Sequence, residues 1–167
     1  MPQRGIVRVD SRLIHGQVLK AWVAHLGFSH ILIVDDNLAQ DGFLISIYKI
    51  SVPQNCNLEI YDIEGLIEAC GQRDILGEGY MVLFRSLDML QLARERGFSL
   101  DALQVAGVGN DEGKTTVYEA VSLSEAEAVL LKQMQNEGIH VYFQSLPDRP
   151  AVELDTVLHQ YFAAIVN

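Results

Sequence analysis

The stretch RVDSRLIHGQV, which begins at Arg8, concentrates side chains that can do chemistry. It holds Asp10, Arg12 and His15, followed directly by Gly16. An imidazole can act as a nucleophile near neutral pH, and a neighbouring arginine can bind an anion through charge-assisted hydrogen bonds. One interpretation is a plain polar loop between a strand and a helix. The other is a site in which His15 is a nucleophile towards a charged group.

Three features of this stretch favour phosphate as that group. A helix is predicted to begin at His15 or directly after it, and a helix N-terminus offers free N–H groups and the positive end of its dipole. Arg12, three residues earlier, can reach over a phosphate. Gly16 lets the backbone approach the bound group closely. Asp10 either orients Arg8, Arg12 or the imidazole, or is an ordinary acid in a turn at the end of a strand.

Other chemistry finds less support in the sequence. No two histidines have an HxH or HExxH spacing, so no metal site and no metal cofactor are predicted. Ser11 does not stand in a nucleophile elbow. Asp35 and Asp36 are interpreted as acids at a strand end that cap the next helix, rather than as metal ligands.

The segment GNDEGKTT, starting at Gly109, superficially suggests a nucleotide-binding P-loop. Counting back from Gly113 places Val108 where the first glycine of that motif belongs. Asp111 and Glu112 also bring negative charge to the place that phosphates need. The residues that follow look extended, whereas a P-loop opens a helix, so we interpret this segment as a turn between strands.

The composition is typical of one globular domain spanning residues 1–167. A net charge of −10 argues against a nucleic-acid partner, which needs a basic face. No apolar run approaches the ~20 residues of a membrane span, and no signal peptide is evident. We therefore expect a cytoplasmic protein in which Cys56 and Cys70 are reduced thiols.

Apolar, strand-like runs alternate with helical patterns along the chain. This alternation predicts an α/β fold: a single domain with an open, mostly parallel sheet and helices on both faces. Ligands of such sheets bind beyond the carboxyl ends of the strands, where the His15 stretch is expected to lie. The predicted strands are GIVRV, HILIVDD, NLEIYDI, YMVLFRS, LQVAGVG and HVYFQSL, with TTVYEAVSL extended and a capping box at Ser124 and Glu127.

The opening residues also resemble a known family. RVDSRLIHGQVLKAWV, followed by ILIVDDNLAQDGFL, is similar to the start of the IIB subunits of the bacterial phosphotransferase system, mannose/fructose/sorbose class. VLFRS and AVSLSEAEAVLLKQMQNEGIHVYFQSLPD resemble later parts of that family more weakly. The resemblance covers essentially the whole chain, with the specificity concentrated in residues 8–18.

The resemblance implies a phosphocarrier, an enzyme of the protein-phosphohistidine–sugar phosphotransferase type with no cofactor. His15 would accept a phosphoryl group from a phosphohistidine of a IIA protein, with Nδ1 as the suggested atom. It would pass the group to a sugar held by the membrane subunits IIC and IID, to which the protein would be peripheral. The implied roles are catalytic for His15 and Arg12, and phosphate-binding for Arg8, Asp10, Gly16 and Ser86. We expect Arg8, Arg12 and the first helix to face the partner.

Departures from the family pattern leave alternatives open. Ser11 replaces a commoner aspartate, and Gly42 and Leu87 stand where proline is usual. One alternative is a regulatory phosphoprotein of an incomplete phosphotransferase system, which delivers no phosphate to sugar. Another is a small-molecule-binding domain that uses the anion-binding loop without covalent chemistry. The sugar and the oligomeric state are not predicted.

Overall fold

The computed structural model describes residues 4–166, which form nine strands, seven α-helices and a π-helix. The strands are β1 (Ile6–Asp10), β2 (His30–Val34), β3 (Asn57–Tyr61), β4 (Tyr80–Phe84), β5 (Ala102–Gly107), β6 (Thr115–Tyr118), β7 (Val121–Leu123), β8 (His140–Phe143) and β9 (Val152–Glu153). The helices are the π-helix (Val18–His25), α1 (Asp36–Ala39), α2 (Gly42–Ser51), α3 (Ile63–Gln72), α4 (Leu87–Glu95), α5 (Glu125–Asn136), α6 (Leu154–Tyr161) and α7 (Ala163–Val166).

Seven strands form one sheet in the order β3-β2-β4-β1-β5-β8-β9. All neighbouring pairs are parallel except β8 and β9, which run antiparallel. The predicted α/β fold with an open, mostly parallel sheet is therefore confirmed. The two-residue strand β9 was not predicted, because its sequence runs directly into the apolar pattern of α6. Strand β1 lies between β4 and β5, so its carboxyl end is flanked on both sides.

Helices cover both faces of the sheet, as predicted. Apolar side chains alternate along each strand, so each sheet face contributes to a different core. One core packs against the π-helix and α1 through Val18, Trp22, Val23 and Leu38. The other packs against α3, α4, α5 and α6 through Leu66, Leu90, Leu131 and Leu154.

The first helix differs from the α-helix that the apolar spacing predicts, because Val18–His25 is wound as a π-helix. Its buried residues include Val18, Trp22 and Val23, and the wider turn of a π-helix brings side chains four and five residues apart onto one face. The Trp22 indole N–H donates to the carbonyl of Ser145, 3.0 Å away. π-Helical segments are rare and occur frequently at functional sites.

The residues after β5 form a hairpin rather than a nucleotide-binding loop. The segment predicted to be extended becomes β6 and β7, an antiparallel pair that joins the end of β5 through a bridge between Val108 and Val121. Lys114, the residue that suggested a P-loop, pairs with Glu127, 3.0 Å away. The predicted capping box of α5 is confirmed, since Ser124 and Glu127 exchange side-chain and backbone hydrogen bonds. Within residues 4–166, no helix has the length and apolar character needed to cross a membrane.

Candidate functional site

A tight turn carries the chain from β1 into the π-helix. The Leu13 N–H donates to the Asp10 carbonyl at 2.9 Å, and the Ser11 N–H donates to the Gly107 carbonyl at 3.0 Å. Leu13 has φ of 54°, an unusual backbone conformation for a branched side chain. Its side chain is fully buried in the core beneath the π-helix. Burial of Leu13 therefore holds the strained loop in place, and such strain is frequent at functional sites.

Asp10 is the hub of the site. Its carboxylate is fully buried and accepts hydrogen bonds from Arg8 (3.1 Å), Arg12 (2.9 and 3.0 Å) and His15 Nε2 (2.8 Å). Burial alone raises the pKa of Asp10. The hydrogen bonds from His15 and Arg12 and the charge of Arg8 outweigh it and hold the pKa well below its usual range. Asp10 is thus a charged acceptor at neutral pH.

Arg8 is buried behind Asp10 and is 0% exposed. Its guanidinium donates to Asp10, to Gln104 Oε1 at 2.7 Å and to the Ser145 carbonyl at 3.3 Å. It also lies 5.5 Å from the centre of the Trp22 ring, while its Nε has no partner within residues 4–166. Burial lowers the pKa of Arg8 despite the nearby Asp10 charge. The expectation that Arg8 faces a partner is wrong, because the side chain has no exposed surface; it reaches the site through Asp10.

Arg12 is the accessible arginine of the loop, with its side chain 36% exposed. Asp10 orients it, and its Nη2 also donates to the Ala106 carbonyl at 3.3 Å and to Gln17 Oε1 at 3.4 Å. These contacts place the guanidinium over the ends of β1 and β5. It is fixed by a buried carboxylate and still open to solvent, which is the arrangement required to bind an external anion.

His15 lies beside Arg12, with its side chain 18% exposed. Because Asp10 is an ionised acceptor, Nε2 must carry the proton of their 2.8 Å hydrogen bond when the imidazole is neutral. Nδ1 then holds the lone pair. Within residues 4–166 this nitrogen has no hydrogen-bond partner, so it is free to attack an electrophile.

The helix start at this site agrees with the sequence prediction. The Leu19 N–H donates to the His15 carbonyl at 3.1 Å, so the first helical turn begins at His15. The first N–H groups of a helix have no partner inside it. Gly16 is exposed, and a methyl group added there would meet no atom within 4 Å. The structure therefore leaves open space above the backbone at Gly16.

Ser86 lies at the carboxyl end of β4, the strand next to β1. Its hydroxyl accepts a hydrogen bond from the Met89 N–H at 3.1 Å and caps α4. That role uses an acceptor lone pair and leaves the hydroxyl proton available to donate. The site residues named from sequence thus fall at the ends of β1 and β4 and at the start of the π-helix.

Sequence reasoning missed the residues that support the site from distant parts of the chain. A methyl group on Gly107 would lie 2.4 Å from Asp10 Oδ1, so only glycine lets the carboxylate sit against β5. Gln104 is a fully buried polar side chain and binds Arg8. A glutamine inside the apolar strand LQVAG was the available signal, because buried polar groups need partners.

The side chains of Arg12 and His15 reach the surface of the molecule. A cavity of about 460 Å³ lies elsewhere, between α1, α3 and α4, and contains none of these residues in its lining. An exposed guanidinium, an accessible imidazole and a helix N-terminus at one surface suit a reactive group that is presented by another molecule.

Comparison with known proteins places the chain in a family. The family model of the sorbose subfamily IIB component of the PTS matches residues 5–164. The mannose-specific EIIAB component of the PTS of Escherichia coli K12 is 27% identical over 150 residues, which are 90% of this chain and 46% of that protein. The chain thus spans about half the length of that relative. The N-acetylgalactosamine-specific phosphotransferase enzyme IIB component 2 of the same strain is 25% identical over 95% of this chain and 100% of its own length.

Solved structures agree with this assignment. The crystal structure of manxB from Thermoanaerobacter tengcongensis is 30% identical and superposes with a TM-score of 0.84, covering 94% of this chain and 95% of that one. The IIBSor domain of the sorbose permease from Klebsiella pneumoniae, 19% identical, shares the fold with a TM-score of 0.82 over 95% and 98% of the two chains. The chain therefore belongs to the sorbose-subfamily IIB components of the phosphotransferase system, a family whose general role is phosphoryl transfer.

Proposed function

We propose that this protein is a phosphohistidine carrier in which Nδ1 of His15 accepts a phosphoryl group from a IIA protein. It passes the group to a sugar bound by the membrane subunits IIC and IID. The observation that carries the proposal is the 2.8 Å hydrogen bond between His15 Nε2 and Asp10, since it leaves Nδ1 unprotonated and, among residues 4–166, without a hydrogen-bond partner. The family assignment supports phosphoryl transfer as the reaction class.

The transfer balances without an added acid or metal. The lone pair of His15 Nδ1 forms a bond to phosphorus while the phosphorus–nitrogen bond of the donor phosphohistidine breaks. The bonding electrons return to the donor imidazole. The proton on His15 Nε2 stays in place, and the positive charge that develops on the phosphorylated imidazole faces Asp10. The carboxylate therefore both selects the tautomer and stabilises the product.

Phosphoryl transfer depends on positioning and on stabilising charge on the equatorial oxygens. Arg12 supplies a fixed guanidinium next to His15, held by Asp10 at 2.9 Å. The free N–H groups at the helix start, with Gly16 among them, supply further donors. The Ser86 hydroxyl is a further donor at the end of β4. Arg8 acts through Asp10, which it keeps charged and fixed.

A IIA protein is the proposed donor, and the subunits IIC and IID with their sugar are the proposed acceptor. The Escherichia coli relative is named an EIIAB component, and this chain matches 46% of it. Other relatives are named for mannose, sorbose, fructose or N-acetylgalactosamine. The proposed reaction places the protein at the cytoplasmic side of the membrane while it delivers phosphate.

The test is phosphorylation by the general phosphotransferase chain. The protein is mixed with enzyme I, the phosphocarrier HPr, a IIA protein and phosphoenolpyruvate, and its intact mass is followed. We expect a gain of one phosphoryl group that is lost in acid and is absent from His15→Ala. No gain while the IIA protein is itself phosphorylated would refute the proposal. Addition of membranes containing IIC and IID then separates sugar delivery from a purely regulatory phosphoprotein.

Arg12→Ala tests the role of the exposed guanidinium. Loss of one fixed donor to a transition-state oxyanion slows such reactions by about 10²-fold or more. We expect labelling of His15 to slow to that extent with little change in thermal stability, because the Arg12 side chain is 36% exposed. A wild-type labelling rate in this variant would remove Arg12 from the mechanism.

A further inference from the structure

A third arginine lies at the same edge of the sheet as His15. Phe84 of β4 pairs in register with Val9 on one side and with Val34 on the other. One position further along each strand, the chain reaches the carboxyl end of the sheet. The residues at these three positions are Arg85 after β4, Asp10 in β1 and Asp35 after β2. Successive side chains of a strand lie on opposite faces of the sheet, so these three lie on the face that the π-helix covers.

Arg85 is fixed by a buried carboxylate. Its Nε lies 3.2 Å from Oδ2 of Asp35, whose side chain is only 4% exposed. The same oxygen accepts the Leu38 N–H at 3.0 Å and caps α1. Asp35 therefore has a fixed position, and it holds Arg85 Nε close to the end of β2.

The two Nη groups of Arg85 remain available to bind another group. A guanidinium has five N–H donors, and within residues 4–166 the two Nη groups of Arg85 make no hydrogen bond or ion pair. The side chain is 42% exposed. Asp10, the neighbouring carboxylate, is already bound by Arg8, Arg12 and His15. Arg85 therefore presents free donors beside the site.

Arg85 and Arg12 lie on opposite sides of β1. Arg12 leans towards β5, where it contacts the Ala106 carbonyl, and Arg85 stands at the end of β4. Neighbouring strands are about 4.8 Å apart, so the Arg85 backbone lies one strand from Asp10, while its guanidinium pairs with Asp35 at the end of β2, on the other side of β4. Two exposed guanidiniums, Arg12 and Arg85, thus lie at this edge, although the whole chain carries −10.

We propose that Arg85 binds the phosphoryl group at His15 from the side opposite Arg12, so that two guanidiniums clamp the group during transfer. Asp35 is its positioning residue, as Asp10 is for Arg12. This inference rests on the proposed phosphorylation of His15. It adds a residue to the reaction that the sequence motif around His15 does not contain.

A small phosphoryl donor separates binding of the phosphoryl group from binding of a partner protein. Phosphoramidate transfers its phosphoryl group to an imidazole nitrogen: the phosphorus–nitrogen bond of the donor, whose nitrogen is protonated, breaks while a new one forms to His15. The bonding electrons stay on the leaving nitrogen, which departs as neutral ammonia and then takes a proton from water. Labelling of the full chain is followed by intact mass with phosphoramidate and, in parallel, with phosphorylated IIA protein. The variants are Arg85→Ala and Arg85→Lys.

Arg73→Ala is the matched control. Arg73 is 34% exposed and pairs with a single carboxylate, that of Glu59. It lies against Tyr80, the first residue of β4, whereas Arg85 follows the last residue of the same strand. Removal of Arg73 therefore deletes a comparable ion pair at the opposite end of the strand.

We expect Arg85→Ala to slow labelling by about tenfold to a hundredfold with both donors, while Arg73→Ala leaves both rates unchanged. Arg85→Lys restores part of the labelling rate, because lysine keeps the positive charge but cannot bind the phosphoryl group in a bidentate manner. Unchanged labelling of Arg85→Ala with phosphoramidate overturns the inference, whether or not the IIA-dependent rate falls. Absence of labelling in the wild-type protein with both donors is a different result, which refutes the proposed function itself.

Discussion

Replacement of Asp10 by asparagine tests the central geometry of the site. The variant keeps the size of the side chain and one acceptor oxygen but removes the charge. An amide N–H directed at His15 would donate to Nε2, so the imidazole proton would move to Nδ1 and the proposed nucleophile would lose its lone pair. The same type of substitution in a catalytic triad, which also reverses a tautomer, lowers the rate by about 10⁴-fold. We expect a loss of similar size here.

Asp10→Asn should also lower the free energy of unfolding. Arg8 is 0% exposed and ion-paired to Asp10 at 3.1 Å, so the variant leaves a buried guanidinium without its counter-charge. Removal of one partner of a buried ion pair lowers the free energy of unfolding by about 3–5 kcal/mol. We expect a loss at the lower end of this range, because the amide oxygen of the new asparagine still accepts one hydrogen bond.

The assay for Asp10→Asn combines labelling of His15 by phosphorylated IIA protein with urea unfolding at pH 7. Asp41→Asn is the matched control, since Asp41 caps α2 by accepting the Leu44 N–H and asparagine caps helices equally well. The reasoning fails if Asp10→Asn retains a labelling rate within tenfold of the wild type while remaining folded. Equal stability of the two variants would contradict the buried ion pair.

Further predictions concern packing, capping and acid stability. Gly107→Ala should abolish most labelling and destabilise the fold by about 1–3 kcal/mol, because the new methyl group would lie 2.4 Å from Asp10 Oδ1. Gly109→Ala is the control: its new methyl group would meet no atom within 4 Å, so the variant should behave as wild type in both assays. Ser124→Ala should cost about 1 kcal/mol in urea unfolding, since it removes the cap of α5, and a changed labelling rate in it would contradict a purely structural role. The pKa of Asp10 is lower in the folded state than the unfolded value of about 3.9, so its stabilisation is complete above that value and is lost as the pH falls through the folded pKa. Acid unfolding of Asp10→Asn should therefore depend less on pH below about 4; the same pH dependence as wild type would contradict the shift.

Much of the fold follows from local patterns in the sequence. Alternating apolar strands and helices predict the parallel sheet, and the capping box at Ser124 predicts the start of α5 correctly. The π-helix was not predictable, because its winding accompanies contacts of Trp22 with Arg8 and Ser145, residues from two distant strand regions. Strand β9 was missed because only its pairing with β8, and no local signal, distinguishes it from the helix that follows.

By itself, the sequence determined which residues could do chemistry: an imidazole, two arginines and a helix start within one short stretch, where local spacing suffices. Only the tertiary structure decided how they act. The register of β1 against β5 presses Asp10 onto Gly107 and buries Arg8 against Gln104. The hydrogen bonds from His15 and Arg12 and the charge of Arg8 keep the buried carboxylate charged, and that charge leaves the lone pair of the neutral imidazole on Nδ1 of His15. Pairing of strands far apart in sequence also brings Arg85 beside β1, which no local pattern can encode.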